Sequence, residues 1–253
     1  RPFYLSMNSK SIIYNVDENK WDAVFNDEGA IIATDYYLSL LQKPWKDQNN
    51  KIRYGVGHKG DGWVKFHQGK VAIVFLTSSD ILMNSNEWTQ SKTHDEIGIA
   101  KIPESPLGLS ISELFGMNLG INVSVDDPLV MDACWKFIRF MGSNLAKKIE
   151  VDTYVENGYG RYVLPEALIK YGYPNLVSKV PKDWAESVAH CLKNHEPEPY
   201  GKNTQHIYPY MDVPINKAYM EELGKNPDKN YRLKKIKEYH DFAVAKANEK
   251  MIG

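Results

Sequence analysis

Apolar positions along the chain fall into two periods. At helical spacing, Ala30, Ala33, Tyr37, Leu40 and Leu41 share a stripe in "NDEGAIIATDYYLSLLQKP". Asn26 is placed to cap that helix, Asp27 and Glu28 suit its positive end, and Pro44 stops it. A second helix is signalled by Asp127 as cap, Pro128 in the first turn and Gly142 as stop, with Leu129, Ala133, Phe137, Phe140 and Met141 giving a broad apolar face; "SNLAKKIEV" continues helically. The tail from Tyr231 to Met251 predicts a last amphipathic helix with Leu233, Ile236, Tyr239, Phe242, Ala243 and Ala247 inward. "IIYNVDENKWDAVF" reads as two short strands around Asp17-Glu18-Asn19. Gly60 to Gly69 reads as a short helix with a glycine stop. Three dense apolar runs, "KVAIVFL" from Lys70, "DEIGIAKIP" from Asp95 and "ELFGMNLGINVS" from Glu113, suit strands covered on both faces. No strand is expected after about Tyr162. The order, strands early and helices late, is α/β.

Composition narrows the function more than the fold. The 253 residues can make one large domain or two small ones, and 31 basic against 32 acidic residues leave no global excess for nucleic acid or an anionic membrane. The basic run "RLKKIKEYH" from Arg232 has acidic neighbours and reads as a solvated helix face. Sixteen Tyr and six Trp raise the aromatic share to 12%, which serves cores and polar-ligand clefts equally. Cys134 and Cys191 form neither a disulfide framework nor a zinc spacing and read as buried free thiols. No apolar run reaches membrane-spanning length.

Reaction chemistry leaves no motif. Seven scattered histidines include no His-Glu-x-x-His pair, and there is no Gly-x-Ser-x-Gly, phosphate loop or dinucleotide fingerprint. "GVGHKGDG" lacks a preceding strand and the Lys-Ser/Thr of a phosphate cradle, and reads as a loop. No catalytic residue, metal site or cofactor is expected.

Five segments in order carry a likeness to one family: "FNDEGAIIATDYYLSLL", "FHQGKVAIVFLTSSD", "IGIAKIPESPLG", "FGMNLGINVSVDDPLVMDACWKFIRFMGS" and "NGYGRYVLPEAL". Together they resemble the extracytoplasmic solute-binding proteins of ABC importers, in the sugar-binding group that includes maltose-binding protein. The likeness covers roughly Phe25 to Leu168. It implies a bilobal periplasmic-binding-protein-like (type II) α/β fold that grips a polar solute between lobes and closes by a hinge.

The same resemblance divides the chain. Residues 1–112 fall in the C-terminal lobe, 113–148 form a crossing segment that belongs to the N-terminal lobe, and 149–253 return to C-terminal-lobe helices. Most of the N-terminal lobe is then expected in another chain or a removed segment, since the sequence opens "RPFYLSMNSK" without Met; the Leu129–Met141 helix and Leu119–Val123 would otherwise expose apolar surface. The resemblance places Ser78, Ser79 and Asp80 at the cleft end of the first buried strand, although the family's Trp is missing there and Asp80 reads better as a cap for a helix over "ILMNSNEW". Trp88 substitutes only if its loop folds back. It places Phe115, Gly116 and Met117 at the crossing, Asn157 and Tyr159 on a cleft loop, and Tyr208 and Tyr210 as stacking rings. Phe115 and the two late tyrosines are as readily core residues.

The partners implied are a carbohydrate-like solute, a membrane permease and the missing lobe, in a periplasmic or cell-surface location. A binding-protein-like sensor domain and an enzyme without a motif are the alternatives.

Overall fold

The computed structural model describes residues 1–55, 64–66, 68–75, 98–116, 118–201 and 203–251. The chain opens with α1 (Pro2–Ser6) and the hairpin β1 (Ile12–Asn15) and β2 (Lys20–Ala23), paired antiparallel with Asn15 opposite Lys20. Asn19 turns the hairpin with φ +51°, a conformation asparagine tolerates. α2 (Glu28–Gln42) follows. Its cap is Asp27, whose carboxylate accepts from Ala30 N–H at 2.8 Å, and not Asn26 as expected; Asn26 instead donates to Asp241. The helix buries Ala30, Ala33 and Leu41 as predicted, with Ile31, Thr34 and Leu38 beside them, and leaves Leu40 exposed.

β3 (Trp45–Lys46) and β4 (Ile52–Arg53) make a small exposed hairpin. β5 (Ser112–Leu114) precedes α3 (Pro128–Met141) and α4 (Asn144–Glu156); α5 (Pro165–Tyr171), α6 (Lys182–Lys193), β6 (His195–Pro197), α7 (Tyr208–Met220) and α8 (Lys229–Met251) complete the order. β6 corrects the expectation that no strand follows Tyr162.

The main core lies where α1, the first hairpin, α2, α7 and α8 meet: Tyr4, Phe25, Ala30, Ala33, Ile207, Met211, Ala243 and Ala247 are all buried in it. Alanines on both α2 and α8 let those helices approach closely. A second cluster extends it through Ile31, Leu38, Ala218, Leu223 and Ile236. Separate clusters surround Trp184 on α6 and Val151, Val163 and Leu168 around α4 and α5.

The three expected buried strands are corrected over their described residues; Leu76, residues 95–97 and Met117 lie outside these. Residues 71–75 are in no strand, with Ile73 77% exposed, and Phe75 rests edge-on against Phe3 with ring centroids 5.3 Å apart. Residues 98–103 run along α6: Ile99 N–H donates to Asp183 at 2.7 Å and Ser187 donates to Ile99 C=O. Among the described residues of the third run only Glu113 and Leu114 lie in a strand, and Val123 is fully exposed. Strands need a neighbour to take their backbone groups, and the described sheets are two-stranded. Gly69 does close the short turn at 64–66 in the left-handed region, φ +66°.

α3 starts as predicted, with Asp127 accepting from Leu129 N–H at 2.8 Å and Gly142 as its last cap. Its apolar face meets water: none of its residues is buried, and Leu129, Phe137, Phe140 and Met141 are all exposed. α8 forms as expected, but Phe242 faces outward under Lys217 Nζ at 4.1 Å. Arg232 and His240, assigned to a solvated face, are buried. Cys134 and Cys191 are free and half-buried.

Candidate functional site

The site grows from a parallel strand pair. β5 and β6 run in register Ser112–His195, Glu113–Glu196 and Leu114–Pro197, extended by Ser112 N–H to Asn194 C=O and Glu198 N–H to Leu114 C=O. Arg1, just before α1, clamps the pair. Its guanidinium forms an ion pair with Glu113 Oε1, donates to Pro197 C=O at 2.8 Å, and donates to Ser11 Oγ at 2.9 Å. The Arg1 and Glu113 side chains keep only 8% and 9% of their surface exposed. At such burial a lone carboxylate would be costly, and the guanidinium offsets its charge.

Tyr208 opens α7 directly after a helical turn, Thr204–Ile207, anchored by the fully buried Ile207. That anchor brings the Tyr208 hydroxyl to Glu113 Oε1, to which it donates at 3.2 Å across 95 residues of chain. Burial first, and the neighbouring Glu113 charge second, push the Tyr208 phenol far above its ordinary range. It stays a donor at every physiological pH.

The sequence-derived candidates divide on this geometry. Phe115 and Gly116 directly follow β5 and are exposed, Phe115 by 55%. Tyr208 joins them through Glu113. Tyr210, two residues on, packs against the main core, as Tyr208 does as well. Asn157 caps α4 by donating to Thr153 C=O at 2.8 Å, and Tyr159 N–H donates to Tyr154 C=O. Gly160 beside them fits so closely that an added Cβ would lie 3.2 Å from Leu176. That loop is therefore built into the α4–α5 cluster. Ser78, Ser79, Asp80 and Met117 lie outside the described residues, as do Thr77 and Trp88.

Arg1 escaped the sequence reading, and Glu113 entered it only as the first residue of the crossing segment, without a binding role. A charged residue interrupting "SISELFG" was the available signal for Glu113; nothing local marks Arg1.

A concavity of about 430 Å³ lies apart from these residues, between the ends of α2 and α8, lined by Gln42, Lys43, Tyr54, Lys225, Asn226 and Arg232. Its buried polar groups serve the protein itself. Gln42 bridges Tyr219 C=O and Gly224 N–H, and Arg232 pairs with Asp35 and donates to Asn226 C=O. Among the described residues no cluster of His, Cys, Asp or Glu is placed to hold a metal, and no helix is long and apolar enough to cross a membrane.

No protein-family model matches the chain, and no curated protein matches it either.

Proposed function

We propose that this chain is part of a solute-binding protein of an ABC importer, holding a small polar solute, a carbohydrate, without chemical change. The observation that carries the proposal is the meeting of the crossing strand with Tyr208. The family resemblance assigns both to the cleft independently, from sequence positions 95 residues apart, and the Tyr208–Glu113 hydrogen bond joins them. Exposed Phe115 supplies an apolar ring beside that contact, and rings beside polar groups are what sugar recognition uses.

The bilobal type II fold is part of the same proposal. What supports it is α3. The helix is well capped and strongly amphipathic, yet its face, with Leu119 and Val123 ahead of it, lies open to water. Such a face exceeds what scattered surface residues explain and suits a covering lobe. We assign residues 113–148 to that lobe, with the permease and an extracytoplasmic location following from the family reading.

The test uses the protein as its source makes it, with intact mass and N-terminal sequence determined first. Glucose, maltose, trehalose, xylobiose and raffinose are then titrated while tryptophan fluorescence is followed. Saturable binding of a sugar without turnover is the expected result. No response to any of them, or conversion of one, sinks the proposal.

A further inference from the structure

We propose that Glu113 is itself a ligand-binding residue, accepting a hydrogen bond from a hydroxyl of the solute through Oε2; this rests on the carbohydrate-binding reading above. Both of its protein partners, Arg1 and Tyr208, reach Oε1. Oε2 has no hydrogen bond among the described residues, on a side chain otherwise almost wholly enclosed. A carboxylate accepts at both oxygens, and Oε2 is not one of the wholly buried polar atoms left without a partner, so it is an acceptor that a hydroxyl from outside can reach.

Its position is fixed rather than floppy. The guanidinium of Arg1 is tied at three points, to Glu113, Pro197 C=O and Ser11 Oγ, so the carboxylate is held before anything binds. Preorganised acceptors of this kind lose little freedom on binding. The Tyr208 contact at 3.2 Å is long for a phenol donating to a carboxylate, and so is readily shared with an incoming hydroxyl.

The ligand class follows from the charges. Arg1 balances Glu113, and Glu196, its register partner on β6, is exposed to water. A neutral donor therefore fits better than an ammonium ion, which would meet the guanidinium as well. Vicinal hydroxyls of a pyranose, one to Oε2 and one to the Tyr208 oxygen, satisfy the arrangement, with Phe115 exposed two residues away.

Glu113→Gln tests this. With the amide oxygen kept toward Arg1 and Tyr208, the substitution places an N–H donor where Oε2 stood and preserves shape. The best-binding sugar of the panel, and its amino-sugar counterpart glucosamine against glucose, are titrated into both forms, with the melting temperature of each measured sugar-free. At least tenfold weaker sugar binding by Glu113→Gln, with a melting temperature within a few degrees, supports the inference. Unchanged affinity overturns it while leaving the proposed function standing. Absence of sugar binding by the unsubstituted protein overturns both, and Glu113-dependent preference for glucosamine overturns the neutral-ligand assignment. If Glu113→Gln does not fold, Glu113→Asp keeps the negative charge but draws the whole carboxylate back by one methylene, away from an incoming hydroxyl, and the same tenfold criterion applies.

Discussion

Thr34 Oγ1 on α2 lies 2.9 Å from His240 Nε2 on α8, joining residues 206 positions apart. The other ring nitrogen, Nδ1, donates to Phe25 C=O at 2.6 Å, which leaves Nε2 as the acceptor. Thr34 therefore donates to the ring and receives the Tyr4 hydroxyl at 3.1 Å. Burial pushes the Tyr4 phenol up to about 12 and holds His240 down at about 4.

A pH dependence follows. His240 is neutral when folded, while an unfolded histidine takes up a proton near pH 6.5. The unfolded state thus binds more protons between about pH 6.5 and 4, and stability falls as pH drops through that window. The full effect is roughly 2–4 kcal/mol. Urea unfolding at pH 7.5 and 4.5 should show the loss. His240→Ala should cost about 2–4 kcal/mol at pH 7.5 through the cavity and the unpaired Phe25 carbonyl, and should flatten the difference between the two pH values.

The buried pair between Arg232 and Asp35 sets a second expectation. Arg232 Nε and Nη2 reach the two carboxylate oxygens at 2.7 and 3.2 Å, with 7% and 15% of the side chains exposed. Asp35→Ala strands the guanidinium and should cost about 3–5 kcal/mol, whereas Asp35→Leu with Arg232→Met should recover most of that. Urea midpoints of the single and double variants compare them directly.

Close packing at Gly201 gives a third. Its φ is +123°, and an added Cβ would sit 2.2 Å from Trp21 Nε1. Trp21 also packs against Tyr14 in a tilted contact and edge-on against Tyr200. Gly201→Ala should destabilise by about 1–3 kcal/mol and move the ring, seen as a lower melting temperature with a shifted Trp21 emission relative to Trp21→Phe.

The open face of α3 yields a fourth. The 253-residue chain alone should bind the dye ANS and self-associate through Phe137, Phe140 and Leu129. Because those side chains are exposed, Leu129→Glu with Phe137→Lys should change folding stability by no more than about 0.5 kcal/mol per site. The same double variant should restore a monomer by light scattering; persistent association would place the sticky surface elsewhere.

Local signals were legible wherever a few neighbouring residues suffice. Asp127, Pro128 and Gly142 delimited α3, and the turn at Asp17-Glu18-Asn19 lay where the first hairpin bends. The site was legible in part: the aromatic segment pointed to Tyr208, but its partner Glu113, and Arg1 which pairs with Glu113, stand 95 and 207 positions away and share no motif with it. Asn157 looked available by sequence and is spent on its own helix end, where its side-chain amide and its backbone N–H both donate to Thr153 C=O.

The sequence by itself determined helix ends, the first hairpin and the amphipathic faces, since caps, turns and apolar periodicity act over a few residues. Tertiary structure decided whether each face is covered and which charges are buried. Arg232 and His240 sit in a run that reads as solvated, yet Asp35, Phe25 and Thr34, brought in from α2 and the segment before it, bury them. The run at 71–75 has the composition of a core strand and is none, because a strand is made by a neighbour's backbone rather than by its own side chains.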